Sequence, residues 1–210
     1  IDLETPDTRT GHFADIPALS VDRNAVYVTY NYNNFAEAPF GRTFDGRGLD
    51  VIEKGAGEGG FYDGGTAVLH PFGTPSLVSP TRAQAMTSDG SATIFAGLLD
   101  QGGVELLRLT RLTNALSAPS FSSVDIPLGD LFSAHLLPQI PQPSSTTTLI
   151  VPELDVTSID IKDGLLFAAA TLPGSGVNAG QQTVYWAEVD ISKWPTASLV
   201  ASGLIDGENL

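Results

Sequence analysis

The chain has 210 residues, with 24 acidic and 10 basic side chains, a net charge of −14 and no cysteine. This acidity disfavours binding to nucleic acid phosphates and to anionic membrane surfaces, and the lack of cysteine excludes disulfides and thiolate chemistry. No apolar run reaches the roughly 20 residues of a membrane helix, so we expect a globular protein without membrane insertion.

Segments typical of β-strands recur along the whole chain. They are rich in β-branched and aromatic residues and are bounded by Gly, Pro, Asn, Asp and Ser. The six clearest are AVYVTYN from Ala25, LDVIE from Leu49, ATIFAGLL from Ala92, VELLRLTRL from Val104, LLFAAATL from Leu165 and TVYWAEVDI from Thr183. No stretch of 12 residues shows the apolar period of a helix, so the sequence predicts an all-β protein. Gly- or Pro-rich stretches at 40–48, 55–65 and 140–148 are expected to be loops.

Three of these strands follow a similar turn. In each case a Ser or Thr stands two residues before an aspartate, and a short turn and an apolar strand come next. The aspartates are Asp22, Asp89 and Asp160, which are 67 and 71 residues apart. An Asp side chain can accept backbone N–H bonds in a turn, so we expect each of them to stabilise one.

A repeat of this length, with about four strands, is the size of one β-propeller blade. We therefore predict a single propeller-type domain over 1–210, with blade repeats near 15–70, 80–125 and 150–200. Propellers usually need about four to eight blades, so three blades correspond to half of a six-bladed ring. The further blades would come from the same chain or from another one. An open β-sandwich without a true repeat is the alternative.

The segment DIPALSVDRNAVYVTYN (15–31) and the stretches LPQIPQP, LDVTSIDIKDGLLFAAATL and QQTVYWAEVDI of the last third resemble a poorly characterised group of bacterial secreted proteins with sialidase-like, six-bladed propellers. The resemblance implies an extracellular, cell-surface or periplasmic location and carries over no catalytic residue. Around Asp89 the sialidase Asp box is matched only loosely, since Ser91 replaces its Gly and Ile94 its Trp.

The repeat also places three charged residues at equivalent positions. Asp15, Arg82 and Glu153 each stand seven residues before a repeat aspartate. If they begin the innermost strands, they surround the mouth of the central channel and form a binding site grafted on the repeat. The alternative is that they are solvated charges at loop edges.

Two other groups of residues are candidates for binding. Tyr30 and Tyr32, in the segment YNYNNF, can stack on sugar rings at the end of a strand, or else pack within a loop. Calcium is the one cofactor with some support, from the oxygen-rich segments that hold Asp45, Asp50 and Asp155. None of them has EF-hand spacing, so solvated acids are the alternative.

These features predict an exported binding or scaffold module whose partners are proteins or glycans. One alternative is a sialidase-like glycoside hydrolase that uses carboxylates and arginines at the channel mouth. Another is a subunit of a larger assembly of several chains. The sequence has no nucleophile-elbow motif and no zinc-binding histidine pair, so it gives no motif that supports serine-hydrolase or zinc-enzyme activity.

Overall fold

The computed structural model describes residues 12–37, 41–55, 64–65, 67–72, 82–86, 92–131, 140–141, 148–149, 156–173 and 182–205. These residues form fourteen β-strands and no helix, which confirms the all-β prediction. Twelve of the strands form three four-stranded antiparallel sheets, in each of which the strands lie in chain order.

Sheet 1 consists of β1 (His12–Val21), β2 (Ala25–Glu37), β3 (Gly41–Glu53) and β4 (Val68–Phe72). The pairing of β1 with β2 shifts between Asp15 and Ala18, where Pro17 lies. Proline has no N–H for the ladder, and a β-bulge on an edge strand accommodates it. One face of the sheet carries Tyr27, Leu49 and Val51, and the other carries Val28, Tyr30 and Ile52.

Sheet 2 consists of β5 (Arg82–Met86), β6 (Ala92–Asp100), β7 (Glu105–Thr113) and β8 (Ser120–Gly129). Residues 92–97 of β6 are all buried. Because successive side chains of a strand point to opposite faces, β6 must be covered on both of its faces. The turn from β6 to β7 uses Gly102 and Gly103 at positive φ, where glycine avoids steric strain.

Sheet 3 consists of β11 (Val156–Lys162), β12 (Leu165–Pro173), β13 (Gln182–Lys193) and β14 (Thr196–Ile205). Asp163 and Gly164 form the two-residue connection between β11 and β12, both at positive φ. This is the Asp-Gly pair that tight hairpins favour.

The short strands β9 (Ile140–Pro141) and β10 (Thr148–Leu149) pair with each other.

The backbone divides into two compact units. Unit 1 contains residues 1–95 and 110–122, and unit 2 contains residues 96–109 and 123–210. In unit 1, Phe95 and Leu112 of sheet 2 pack with Tyr27, Leu49 and Val51 of sheet 1. In unit 2, the core contains Leu172, Tyr185 and Ala187 of sheet 3, and Leu98 and Leu128 of sheet 2 pack against it. Sheets packed face to face thus form the core of each unit.

The strand predictions succeed, but two of the three loop predictions are wrong in part, since the stretch 140–148 includes β9 and the first residue of β10. All six predicted segments lie within or almost within β2, β3, β6, β7, β12 and β13. The stretch 40–48 was predicted as a loop, but from Gly41 onward it belongs to β3. Its pairing with β2 absorbs one extra residue, Asp45, between the pairs Tyr32–Gly46 and Asn33–Phe44. A bulge of this kind lets a glycine-rich segment stay in a sheet.

The repeat aspartates are not equivalent in the structure. Asp22 lies in the turn between β1 and β2 and accepts the backbone N–H groups of Asn24 and Ala25 at 2.7 and 2.8 Å. Asp160 instead lies within β11, exposed, and accepts only the N–H of the next residue among its described bonds. The corresponding turn comes three residues later, at Asp163 and Gly164. Asp89 lies outside the described residues.

Candidate functional site

Two of the three predicted channel-mouth residues lie on the first strands of sheets. Asp15 lies on β1, where it pairs with Asn31, and Arg82 is the first residue of β5. Strands β1 and β5 contact each other within unit 1. Glu153 lies outside the described residues, so a common site of the three remains a prediction.

The tyrosine prediction fails for Tyr30. The segment that holds it is not at a strand end, because β2 continues to Glu37. Tyr30 is only 5% exposed, and its ring lies over Gly48 on β3. A residue buried in this way cannot stack on a sugar. Tyr32 also lies within β2, paired with Ala14 and Gly46.

The calcium prediction is weakened for the two acids that lie in the described part. Asp45 and Asp50 both belong to β3, five residues apart, which separates their Cα atoms by roughly 16 Å in an extended strand. Two carboxylates cannot reach one calcium ion, at about 2.4 Å from each, over that distance. Asp155 lies outside the described residues. The described part holds no cluster of three metal-ligating side chains.

Asp50 is instead a fully buried acid. It lies opposite Val28 on the face of sheet 1 that carries Tyr30 and Ile52. Burial raises the pKa of the Asp50 carboxyl, and the nearby Tyr30 hydroxyl acts in the opposite direction. Neither carboxylate oxygen makes a hydrogen bond of normal geometry with a described residue, so ionisation of Asp50 opposes folding.

Replacing this acid should therefore stabilise the protein in a pH-dependent way. The pKa of Asp50 is higher in the folded state than in the unfolded state. The unsubstituted protein therefore loses stability as pH rises above about 3.8, the ordinary pKa of an aspartate. We expect Asp50→Asn to raise the free energy of unfolding by about 1 kcal/mol at pH 7 and by much less at pH 4. Urea unfolding at both pH values measures this.

Asp125 provides a control of opposite sign. Its carboxylate pairs with Arg108 at 2.6 Å, and this hydrogen bond lowers the pKa of Asp125. Asp125→Asn should leave stability unchanged or slightly lower at pH 7, since exposed ion pairs contribute up to about 1 kcal/mol. A pH-independent effect of Asp50→Asn would contradict the assignment of Asp50 as an opposing buried charge.

Two other buried acids have structural partners. The carboxylate of Asp22 accepts the Tyr27 hydroxyl at 2.8 Å, in addition to the two turn N–H groups, and Lys54 donates to the Asp22 carbonyl. Burial, above all, raises the pKa of Tyr27 to about 12. Glu105 accepts the backbone N–H of Leu131 at 2.7 Å. These contacts hold the chain in place.

The most distinctive surface of the described residues is one face of sheet 3. Cross-strand pairing aligns Ala169 with Trp186 and Trp186 with Gly203, and in the next row Thr171 with Val184 and Val184 with Ile205. Partners in a ladder point to the same face. With Phe167, two positions before Ala169 on β12, they define what we call the Trp186 face: Phe167, Ala169, Thr171, Val184, Trp186, Gly203 and Ile205.

This face is apolar but uncovered. Phe167, Val184 and Ile205 are 40%, 42% and 61% exposed. The opposite face of the same sheet, with Leu166, Leu172 and Val189, is buried. Sheet 3 therefore has two apolar faces, of which only one is packed in a core, and a contiguous exposed apolar patch is typical of an interaction site.

The indole of Trp186 gives the face its shape. A Cβ on Gly203 would lie 3.1 Å from Trp186 Nε1 and 3.3 and 3.4 Å from Cε2 and Cζ2. Three ring atoms at nearly equal distances show that the indole lies flat across β14. A Cβ at this position would push the indole away by a few tenths of an ångström, so Gly203 allows the closest approach and gives a flat aromatic surface next to the edge of the sheet.

Charged residues border the Trp186 face at one end. Glu188 and Asp160 are both ladder partners of Phe167, and Asp190 and Lys162 are partners of Leu165 in the next row. Asp190 accepts both the N–H and the hydroxyl of Ser192, and these bonds lower its pKa. An apolar centre with a polar border is the usual arrangement of a protein interface.

The sequence contains a signal for this surface. In TVYWAEVDI, alternation places Thr183, Tyr185 and Ala187 on one face and Val184 and Trp186 on the other. The segment is correctly predicted as a strand, but the predicted binding residues do not include its outward side chains.

Unit 2 also holds a small cavity lined by Leu98, Leu107 and several alanines of β12. Its lining surface is apolar and offers no group for polar recognition.

No protein-family model, curated protein or solved structure matches this chain. The resemblance to secreted sialidase-like propellers therefore stays a prediction. None of the described residues forms a helix that could span a bilayer.

Proposed function

We propose that the chain is a non-catalytic binding module of an exported β-propeller, and that a protein partner covers the Trp186 face. The observation that carries the proposal is the exposure of an apolar, aromatic face on an otherwise well-packed sheet. Burying such a face is the main source of free energy in protein association, with aromatic side chains among the strongest contributors.

The sheet arrangement supports the propeller part of the proposal. Three four-stranded sheets whose strands follow chain order are what consecutive blades require. Strand β6 is covered on both faces, as a strand between neighbouring blades is. The uncovered face of sheet 3 is compatible with a further blade or with another chain of an assembly. An extracellular, cell-surface or periplasmic location remains part of this proposal.

A glycan is the second candidate partner, and the flat indole of Trp186 favours it. Sugar rings stack on exposed aromatic faces, and the carboxylate of Glu188 lies two positions away on the same face of β13. The hydrolase alternative has less support. It needs an accessible carboxyl with a raised pKa, and among the described residues the carboxyl whose pKa is raised, Asp50, is buried.

Site-specific photo-crosslinking tests the proposal. A benzoylphenylalanine replaces Val184 on the Trp186 face or, as a matched control, Leu19, which is 59% exposed on β1. In extracts of the source organism, we expect position 184 to capture one protein species and position 19 to capture none. Adding Phe167→Lys should reduce the capture at least about tenfold, because a charge then replaces one of the large exposed apolar side chains of the face.

A further inference from the structure

The outer edge of sheet 3 differs from the other sheet edges. An edge strand presents unpaired backbone N–H and C=O groups, and proteins protect such strands with proline or with charged side chains. The other edge strands of the four-stranded sheets, β1, β4, β5, β8 and β11, each contain at least one of these: Pro17, Pro71, Arg82, Pro127 and Lys162. Strand β14, the last of sheet 3, contains neither proline nor charge over its ten residues.

Part of β14 is also regular enough to accept another strand. Its pairing with β13 is interrupted at Val200, between the pairs Glu188–Ala201 and Val189–Leu199. From Ala201 to Ile205 the pairing is continuous. Along this stretch Ser202, Leu204 and Ile205 are exposed. Among the described residues, the segment 201–205 therefore presents an uninterrupted ladder edge to which another extended strand can add.

We propose that this edge binds a second copy of the chain, through antiparallel pairing of the two β14 strands. When the segments 201–205 of the two copies pair over their full length, Gly203 lies on the two-fold axis and Ser202 lies opposite Leu204 of the other copy. A two-fold axis is the commonest symmetry of protein pairs, and such an interface is self-complementary.

Charge favours this edge as the place where two copies meet. Each chain carries a net charge of −14, so contacts through charged edges bring like charges together. Strand β14 has no charge to oppose, and no large side chain stands at the axis, because residue 203 is glycine. The pairing also brings the two Trp186 indoles, which lie across Gly203, to either side of the axis. The inference rests on the edge and does not depend on what covers the Trp186 face.

The mass in solution, measured by sedimentation equilibrium on the full chain, tests the proposal. We expect the mass to rise from 22.0 kDa towards twice that value as the concentration enters the millimolar range. Ser202→Glu with Leu204→Glu puts like charges opposite each other twice, and should weaken association about tenfold. Ser202→Lys with Leu204→Glu puts opposite charges there and should retain the dimer.

The two double variants change the same exposed positions, so a fold defect would affect both, and circular dichroism checks for it. A parent chain that stays a monomer would overturn the proposal, as would a dimer unaffected by the two glutamates. Loss of the dimer in both double variants would also contradict the Gly203-centred pairing. Because Phe167→Lys lies away from this edge, it should leave the mass unchanged, which separates this test from that of the Trp186 face.

Discussion

Gly48→Ala should destabilise the protein by about 3 kcal/mol, the upper end of the effect of overpacking a core. A Cβ at this position would lie 2.3 Å from Tyr30 Cε2 and 2.5 Å from Cζ, closer than any real contact. Tyr30 is buried and packs with Val28 and Ile52, so its ring has no free space to move into. Denaturant unfolding of the purified variant measures the loss.

A double-mutant cycle identifies the cause. If the Tyr30 ring is the obstacle, Gly48→Ala should have little further effect in a Tyr30→Ala background, since the ring is then gone. Equal effects of Gly48→Ala in both backgrounds would show that the glycine is needed for another reason. The cycle also tests whether Tyr30 is buried, because a sugar-stacking Tyr30 at the surface would tolerate the methyl group.

Asp22→Ala should have an effect of similar size, about 3 kcal/mol. The change removes the acceptor of two turn N–H groups and leaves the buried Tyr27 hydroxyl without this partner. Asp22→Asn keeps an amide oxygen for the turn and should cost less than half as much. The free energy of unfolding in urea, measured for both variants, gives the comparison.

Asp160→Ala is the matched control, because the repeat in the sequence places Asp160 at the same position as Asp22. In the structure it is exposed on β11, so its loss should change stability by less than about 0.5 kcal/mol. Equal losses of stability for Asp22→Ala and Asp160→Ala would show that the two aspartates have equivalent roles, as the sequence repeat predicts, and would contradict the difference seen in the structure.

The sequence predicts the strands better than the partners that those strands meet. Segments such as ATIFAGLL and LLFAAATL are recognisable because strands covered on both faces are continuously apolar. Strands β8 and β14 are harder to recognise, since nine of their twenty residues are Ser, Ala or Gly. The glycine-rich start of β3 resembles a loop, and only its pairing with β2 and the bulge at Asp45 keep it in the sheet.

The site depends on register, which the sequence does not reveal. Trp186 and Gly203 are 17 residues apart and meet only because β13 and β14 pair as they do. The same holds for Tyr30 over Gly48. A shift by one residue would turn these side chains to the other face. The alternation within TVYWAEVDI does show that Trp186 faces away from Tyr185, and this much of the site was available from the sequence.

Whether a partner covers the Trp186 face is measured most directly by the photo-crosslinking yield from position 184. We expect one captured protein from position 184, none from position 19 and a loss of capture on Phe167→Lys. Capture that is equal at both positions, or that is unaffected by Phe167→Lys, would contradict it.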